Sequence, residues 1–177
     1  FFTNKGKVHW LKAYEVPSGS RYAQGKAVVN LLNLEKEEKV KTLLPISQFD
    51  ANKFLVFATR HGIVKKTSLA EYSNPRKGGI IAINLKDNDE LTQVVLTDGK
   101  KELIIGTRNG NAVRFNESDI TVMGRNSTGV RGIKLEMNDA VIGLETAVQG
   151  STVLTVTEKG FGKRTIVDDY RLIRRGG

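Results

Sequence analysis

The side chains of this chain with the most chemical potential are its cations, and they recur in register. Four Thr-x-x-Gly elements, Thr3-Asn4-Lys5-Gly6, Thr59-Arg60-His61-Gly62, Thr107-Arg108-Asn109-Gly110 and Thr157-Glu158-Lys159-Gly160, stand about 50 residues apart. Four residues beyond their glycines come Trp10, Lys66, Arg114 and Arg164, with Lys65 and Lys163 beside two of them. A second glycine follows in each unit (Gly25, Gly79, Gly129, Gly177), and the segments around it add Arg76-Lys77, Arg125, Arg131 and Arg174-Arg175. The first, longer connector contributes Arg21 and Lys26. A charge repeated once per unit lands on one band of a repeat fold. Cations so spaced can follow a curved phosphate backbone. Contacts of that kind position a duplex without reading its bases, so selectivity would come from the bendability of DNA. Solvated surface charge is the plainer account of any single one of them.

Catalytic chemistry finds little to work with. There is no cysteine, which excludes disulfides and thiolate metal sites and fits a reducing cytoplasm. His9 and His61 are the only histidines; they lack metal-ligand spacing and a Ser-His-Asp context, so structural or solvent roles are expected. Gly160-Phe161-Gly162-Lys163-Arg164-Thr165 has a phosphate-loop flavour, but no glycine stands five residues before Gly162, and Arg164 occupies the Ser/Thr position. Carboxylate pairs such as Glu37-Glu38 and Asp168-Asp169 fall in turns, where solvated charge is expected. No cofactor or metal site is expected.

The elements that must position these cations are short and β-like. Phe54-Leu55-Val56-Phe57-Ala58 is a buried-strand run, and Arg108-Asn109-Gly110-Asn111 supplies a hairpin turn where φ must be positive. Val130 to Leu135 alternates as a half-buried strand does, apart from Gly132. Asp87-Asn88-Asp89 and Met137-Asn138-Asp139 are turns, each inside a recurrent loop flanked by apolar residues (Leu34 to Val40, Leu85 to Leu91, Leu135 to Val141). Leu91 to Leu96 and Val141 to Leu144 return as strands; only Ser68 to Tyr72 and Glu117 to Ile120 look helical. Four strands per unit make a blade, and blades stack around an axis because none buries both its faces alone. The expected fold is therefore all-β, a propeller-like or solenoid array of four-stranded antiparallel blades. One domain over 1–177 divides into units of approximately 1–53, 54–101, 102–151 and an incomplete 152–177, a partial ring.

Composition bounds the partner. With 28 Lys+Arg against 19 Asp+Glu the net charge is +9 and the pI about 9.8, which favours a polyanion. No apolar run approaches the ~20 residues of a membrane span, so no membrane partner is expected. The opening Phe1-Phe2-Thr3, without an initiator Met or a basic-then-apolar leader, reads as an internal segment.

Several stretches are similar, in order and spacing, to the DNA gyrase A C-terminal domain family. They include Asn30 to Leu34, Val64-Lys65-Lys66-Thr67, Asn74 to Ile83, Val113 to Asp119, Met123-Gly124-Arg125, Thr128 to Ile133 and Gly162 to Thr165, and the likeness extends over essentially the whole chain. The resemblance implies a six-bladed β-pinwheel, in which neighbouring blades exchange a strand and duplex DNA wraps around a basic rim. It would place this chain from within the second blade into the fifth. Ile173-Arg174-Arg175-Gly176-Gly177 resembles the family's Gln-Arg-Arg-Gly-Gly-Lys-Gly box, with Ile in place of Gln. Arg21-Tyr22 has the Arg-Tyr order of a type II topoisomerase cleavage site. The family's catalytic Tyr lies in a separate domain, so Tyr22 is not expected to act.

The function so implied is wrapping of duplex DNA in support of negative supercoiling. The parent would be an ATP-dependent, cytoplasmic type II topoisomerase in which a gyrase A homodimer works with gyrase B. Two alternatives stand beside it: the corresponding domain of topoisomerase IV, which captures DNA crossings, and a propeller scaffold that binds proteins. Steep salt dependence would separate phosphate-driven binding from the last of these.

Overall fold

A strand buried on both faces needs apolar residues at every position, and Phe54 to Ala58 meets that requirement. Leu55 and Phe57 point to one side, Val56 and Ala58 to the other, and all four are buried. The computed structural model describes residues Phe1–Gly177. Its strands in chain order are β1 (Phe2–Thr3), β2 (Lys7–Val8), β3 (Val40–Thr42), β4 (Phe54–Thr59), β5 (Ile63–Ser68), β6 (Ile80–Ile81), β7 (Leu91–Thr97), β8 (Glu102–Thr107), β9 (Ala112–Asn116), β10 (Val130–Arg131), β11 (Val141–Ala147), β12 (Thr152–Val156) and β13 (Gly162–Ile166). The only helical pieces are short 3-10 turns, among them Leu69–Tyr72 and Glu117–Asp119, where the sequence reading places them.

The strands form four antiparallel sheets, ordered β3-β1-β2-β6, β10-β5-β4-β7, β11-β8-β9 and β12-β13. The chain crosses between sheets in a regular way. β6, which follows β5 in sequence, leaves the second sheet to pair with β2 of the first. Likewise β10 leaves the third to pair with β5 of the second. Each of these outer strands is thus lent by the sheet that follows. They are only two residues long. In the expected strand Val130 to Leu135, pairing ends at Arg131, because the N–H groups of Gly132 and Ile133 both turn to the Gly62 carbonyl, at 2.7 and 3.3 Å.

The core lies in the seams between sheets. Val56, Ala58 and Val64 of the second sheet meet Leu103, Ile105, Val113 and Phe115 of the third. The opposite face of β4 meets the first sheet, where the rings of Phe2 and Phe57 pack edge to face with centroids 5.7 Å apart. Each such buried side chain contributes about 1.5–3 kcal/mol, so most of a sheet's stability comes from its neighbours. The third seam is thinner, holding Ile104, Ala147 and Val167, and β12 and β13 are largely exposed.

The recurrent turns share one lock. Gly6, Gly62, Gly110 and Gly160 all have positive φ, as the turn reading requires. A carboxylate from the later loop then binds the turn. Asp89 Oδ1 accepts from the His61 and Glu90 N–H groups at 2.9 Å each, and Asp139 Oδ1 from those of Asn109 and Ala140 at 3.0 and 2.8 Å. In the first unit the position is Glu38, and here the expectation of solvated charge fails. Its side chain is buried, accepting from the Thr3 hydroxyl at 2.7 Å and from the Glu35 N–H at 2.8 Å, with His9 Nε2 at 2.9 Å. Burial alone would raise the pKa values of Glu38 and Asp139. The hydrogen bonds outweigh it and hold both below the ordinary carboxylate range.

Two predictions concern these turns. A Cβ on Gly62 would lie 2.8 Å from the Ile133 carbonyl, whereas one on Gly110 would meet nothing. Gly110→Ala should therefore cost only the left-handed penalty of about 1–2 kcal/mol, and Gly62→Ala measurably more, by urea denaturation. The second concerns pH. A carboxylate with a lowered folded pKa contributes stability that is complete above its unfolded value of about 4 and is lost as pH falls through the folded value. Asp139→Asn should thus melt below the parent protein at pH 7, and that gap should narrow as melts are taken from about pH 4 towards 2.

Candidate nucleic-acid interface

The structure divides the predicted cations into two groups. The first faces inward, which corrects the expectation that Lys65, Lys66 and Arg114 lie on an exposed band. Lys65, on β5, is fully buried. Its ammonium donates to the carbonyls of Ala82 (2.8 Å), Ser127 (3.4 Å) and Arg125, and lies 5.4 Å from the centre of the Phe57 ring. Burial, and then the Arg125 charge, lower its pKa to about 7, against the Glu71 charge, which raises it. Lys66 donates to the Glu117 carbonyl at 2.9 Å, in the 3-10 turn of the next sheet. Arg114 repeats that bond one sheet further on, reaching the carbonyls of Val167 at 2.9 Å and Tyr170 at 3.2 Å. Its Nε is held by Glu102 at 2.7 Å, and Asp168 stands 3.6 Å from its Nη2.

The physical reason is the seam. The Glu117 and Val167 carbonyls each accept one backbone bond within their turns, from the Ile120 and Tyr170 N–H groups at 3.0 Å, and the neighbouring sheet covers the second lone pair from water. A long side chain ending in several N–H donors is the available partner. Arg125 and Arg175 do related work at the exchanged strands. Arg125 Nη1 donates to the Ile81 carbonyl at 2.7 Å. Arg175 donates through Nη1 to the Arg131 carbonyl at 2.9 Å and through Nε to that of Asp119 at 2.8 Å. Both are half-buried.

The second group is free. Arg76 and Lys77 sit on the loop between the Leu69–Tyr72 turn and β6, Arg131 on β10, Lys163 and Arg164 on β13, and Arg174 near Gly176; all are exposed and pair with no carboxylate. Arg21 and Lys26 are exposed on the connector, where the Arg21 guanidinium lies 6.0 Å from the centre of the Tyr22 ring. The exposed band expected from the recurrent positions Lys66, Arg114 and Arg164 is not formed by this set, because two of its three members are buried. Sequence reasoning also passed over Lys86 and Lys134, both exposed, which share one surface groove with Arg131 and Arg175. They break the repeat instead of following it; the equivalent of Lys134 one unit earlier is Asn84, and that of Lys86 is Glu35.

The two groups should separate in a stability experiment. Removing a buried cation that satisfies carbonyls costs about 1.5–3 kcal/mol, so Lys66→Ala and Arg114→Ala should lower the urea midpoint by a corresponding amount. Lys163→Ala, with nothing to release, should stay within about 0.5 kcal/mol of the parent.

Comparison with known proteins agrees with this architecture. A family model described as DNA gyrase C-terminal domain, beta-propeller, matches residues 1–47, 53–98, 101–147 and 151–177. The DNA gyrase A protein of Staphylococcus epidermidis is 47% identical over 180 residues, covering 100% of this chain and 20% of that protein. Its Staphylococcus aureus counterpart matches at the same identity and coverage. The chain thus spans about a fifth of the length of these relatives. Among solved structures, a DNA topoisomerase IV C-terminal domain matches with TM-score 0.89 and 30% identity, covering 99% of this chain and 55% of that one. A DNA gyrase A C-terminal domain matches with TM-score 0.83 and 25% identity, covering 99% and 56%. With four antiparallel sheets exchanging strands and a family match along nearly its whole length, the chain belongs to the β-propeller C-terminal domains of DNA gyrase A.

Proposed function

We propose that this chain binds the backbone of duplex DNA without reading its sequence, and bends it over successive sheets. What carries the reading is the free group of cations. Arg131 stands on the second sheet, Lys163 and Arg164 on the fourth, and Arg76, Lys77 and Arg174 on segments outside the strands, all exposed with no carboxylate partner, in a chain of net charge +9. Such charges release counterions from a polyanion when they meet it. Contact with several sheets in turn forces the duplex to curve, and curvature is tolerated best by deformable sequences. The charges suffice for this binding, and no cofactor takes part.

In the whole protein the wrap would serve a cytoplasmic type II topoisomerase. It would present a handed DNA segment for strand passage by a gyrase A dimer acting with gyrase B, and so support negative supercoiling. The higher TM-score with a topoisomerase IV domain favours a second reading, capture of DNA crossings. The 47% identity with gyrase A proteins favours the first. The full-length enzyme separates them by whether it supercoils relaxed plasmid or only decatenates and relaxes.

Charge reversal at Arg76 and Lys77 tests the binding. Each phosphate contact contributes about 0.9 to the slope of log affinity against log salt. R76E/K77E should therefore lower that slope by about two and weaken binding equally for unrelated duplexes, with the thermal melt unchanged. Unchanged binding with an unchanged melt would mean that these two are ordinary surface charges.

A further inference from the structure

One groove on the surface is basic for a reason the fold does not supply. It lies where β10, lent to the second sheet, passes β5. Gly129 and Gly176 are among its lining, and Lys86, Arg131, Lys134 and Arg175 are its charged side chains. No acidic side chain lines it. Arg175 is committed to carbonyls, as described above. Lys86, Arg131 and Lys134 are exposed, and their side chains make no hydrogen bond or ion pair within the chain.

The repeat provides an internal control. β6 runs against β2 as β10 runs against β5, with Ile81 opposite Lys7 where Arg131 is opposite Ile63. The N–H groups of Ala82 and Ile83 donate to the Gly6 carbonyl as those of Gly132 and Ile133 donate to that of Gly62. At the first of these seams the three groove positions are therefore Glu35, Ile81 and Asn84. Glu35 is already paired there with Lys7 at 2.5 Å. The same backbone thus forms without the three cations. Three like charges line one groove with no acidic side chain among them, and an anion is the ligand chemistry that complements them.

We infer that Lys86, Arg131 and Lys134 form a seat for the phosphodiester backbone of duplex DNA, at the seam where β10 crosses to β5. This rests on the DNA-binding reading above and assigns it a specific crossing point. At Gly176, where a Cβ would meet nothing in the chain, the absence of a side chain allows close approach of the strand. The seam between the first two sheets, with Glu35 in place of Lys86, would hold DNA less closely.

The test compares two triple reversals of equal charge on this chain. K86E/R131E/K134E changes the groove, and K36E/K53E/K100E changes exposed lysines elsewhere. Affinity for a linear duplex is measured from about 50 to 200 mM salt, with a thermal melt of each protein. The groove variant should lose at least about tenfold in affinity at the lower salt and flatten the salt slope by roughly 2 to 3, with the control well short of both. K86Q/R131Q/K134Q, which removes the three charges without reversing them, should flatten the slope as well, so an unfolded glutamate variant does not decide the matter. Equal losses in groove and control variants would show a response to total charge and overturn the seat. So would an unchanged slope in a folded glutamine variant. If the parent chain shows no salt-dependent duplex binding, the functional reading falls and the seat with it.

Discussion

Backbone carbonyls at the seams between sheets set the terms for the rest of this molecule. A sheet covered on both faces hides its connecting turns from water, and a hidden carbonyl without a partner destabilises by about 1–3 kcal/mol. Lys65, Lys66, Arg114, Arg125 and Arg175 donate to such covered carbonyls from elsewhere along the chain, at Glu117 and Val167 as a second bond beside that of the turn. The donor count matters. One ammonium serves three carbonyls at Lys65, and one guanidinium serves two carbonyls and a carboxylate at Arg114. Together with the exchanged strands, these bonds make each sheet depend on its neighbour for hydrogen bonding as well as for apolar burial.

A net charge of +9 therefore overstates what the surface offers to a partner. Some of the cations that look most regular along the chain hold the seams, and regularity is what a repeated structural need produces. The charges available to a polyanion are those the fold leaves without work, on loops and on the lightly covered strands β12 and β13. Arg114 and Arg164 illustrate the difference. They occupy the same place in the repeat, yet one is enclosed by the sheet that follows it and the other is exposed.

The converse holds for the groove at β10. A position that carries a cation in one unit and a neutral or acidic residue in another is free of the repeat's structural demands. Departure from the repeat is then the better pointer to function. Lys86 and Lys134 are out of phase with every other basic position, and they are the ones that meet Arg131 on a shared surface.

Residue order was enough to establish the all-β class, the recurrent Thr-x-x-Gly turns and the two-sided burial of β4. These depend on local requirements: positive φ at Gly62 and Gly110, and apolar residues at every position of a sandwiched strand. Family membership was equally legible in motifs such as Asn74 to Ile83. Which cations are free was settled by packing. Lys65 and Lys66 are the two charged residues of β5, and the docking of a neighbouring sheet on each face is what shows both pointing into covered seams. The length of the Val130 strand and the burial of Glu38 were hidden for the same reason. Each is decided by a hydrogen-bond partner distant in sequence, the Gly62 carbonyl in one case and Thr3 with His9 in the other. Periodicity reports a residue's place within its own unit, whereas exposure is set by the unit packed against it.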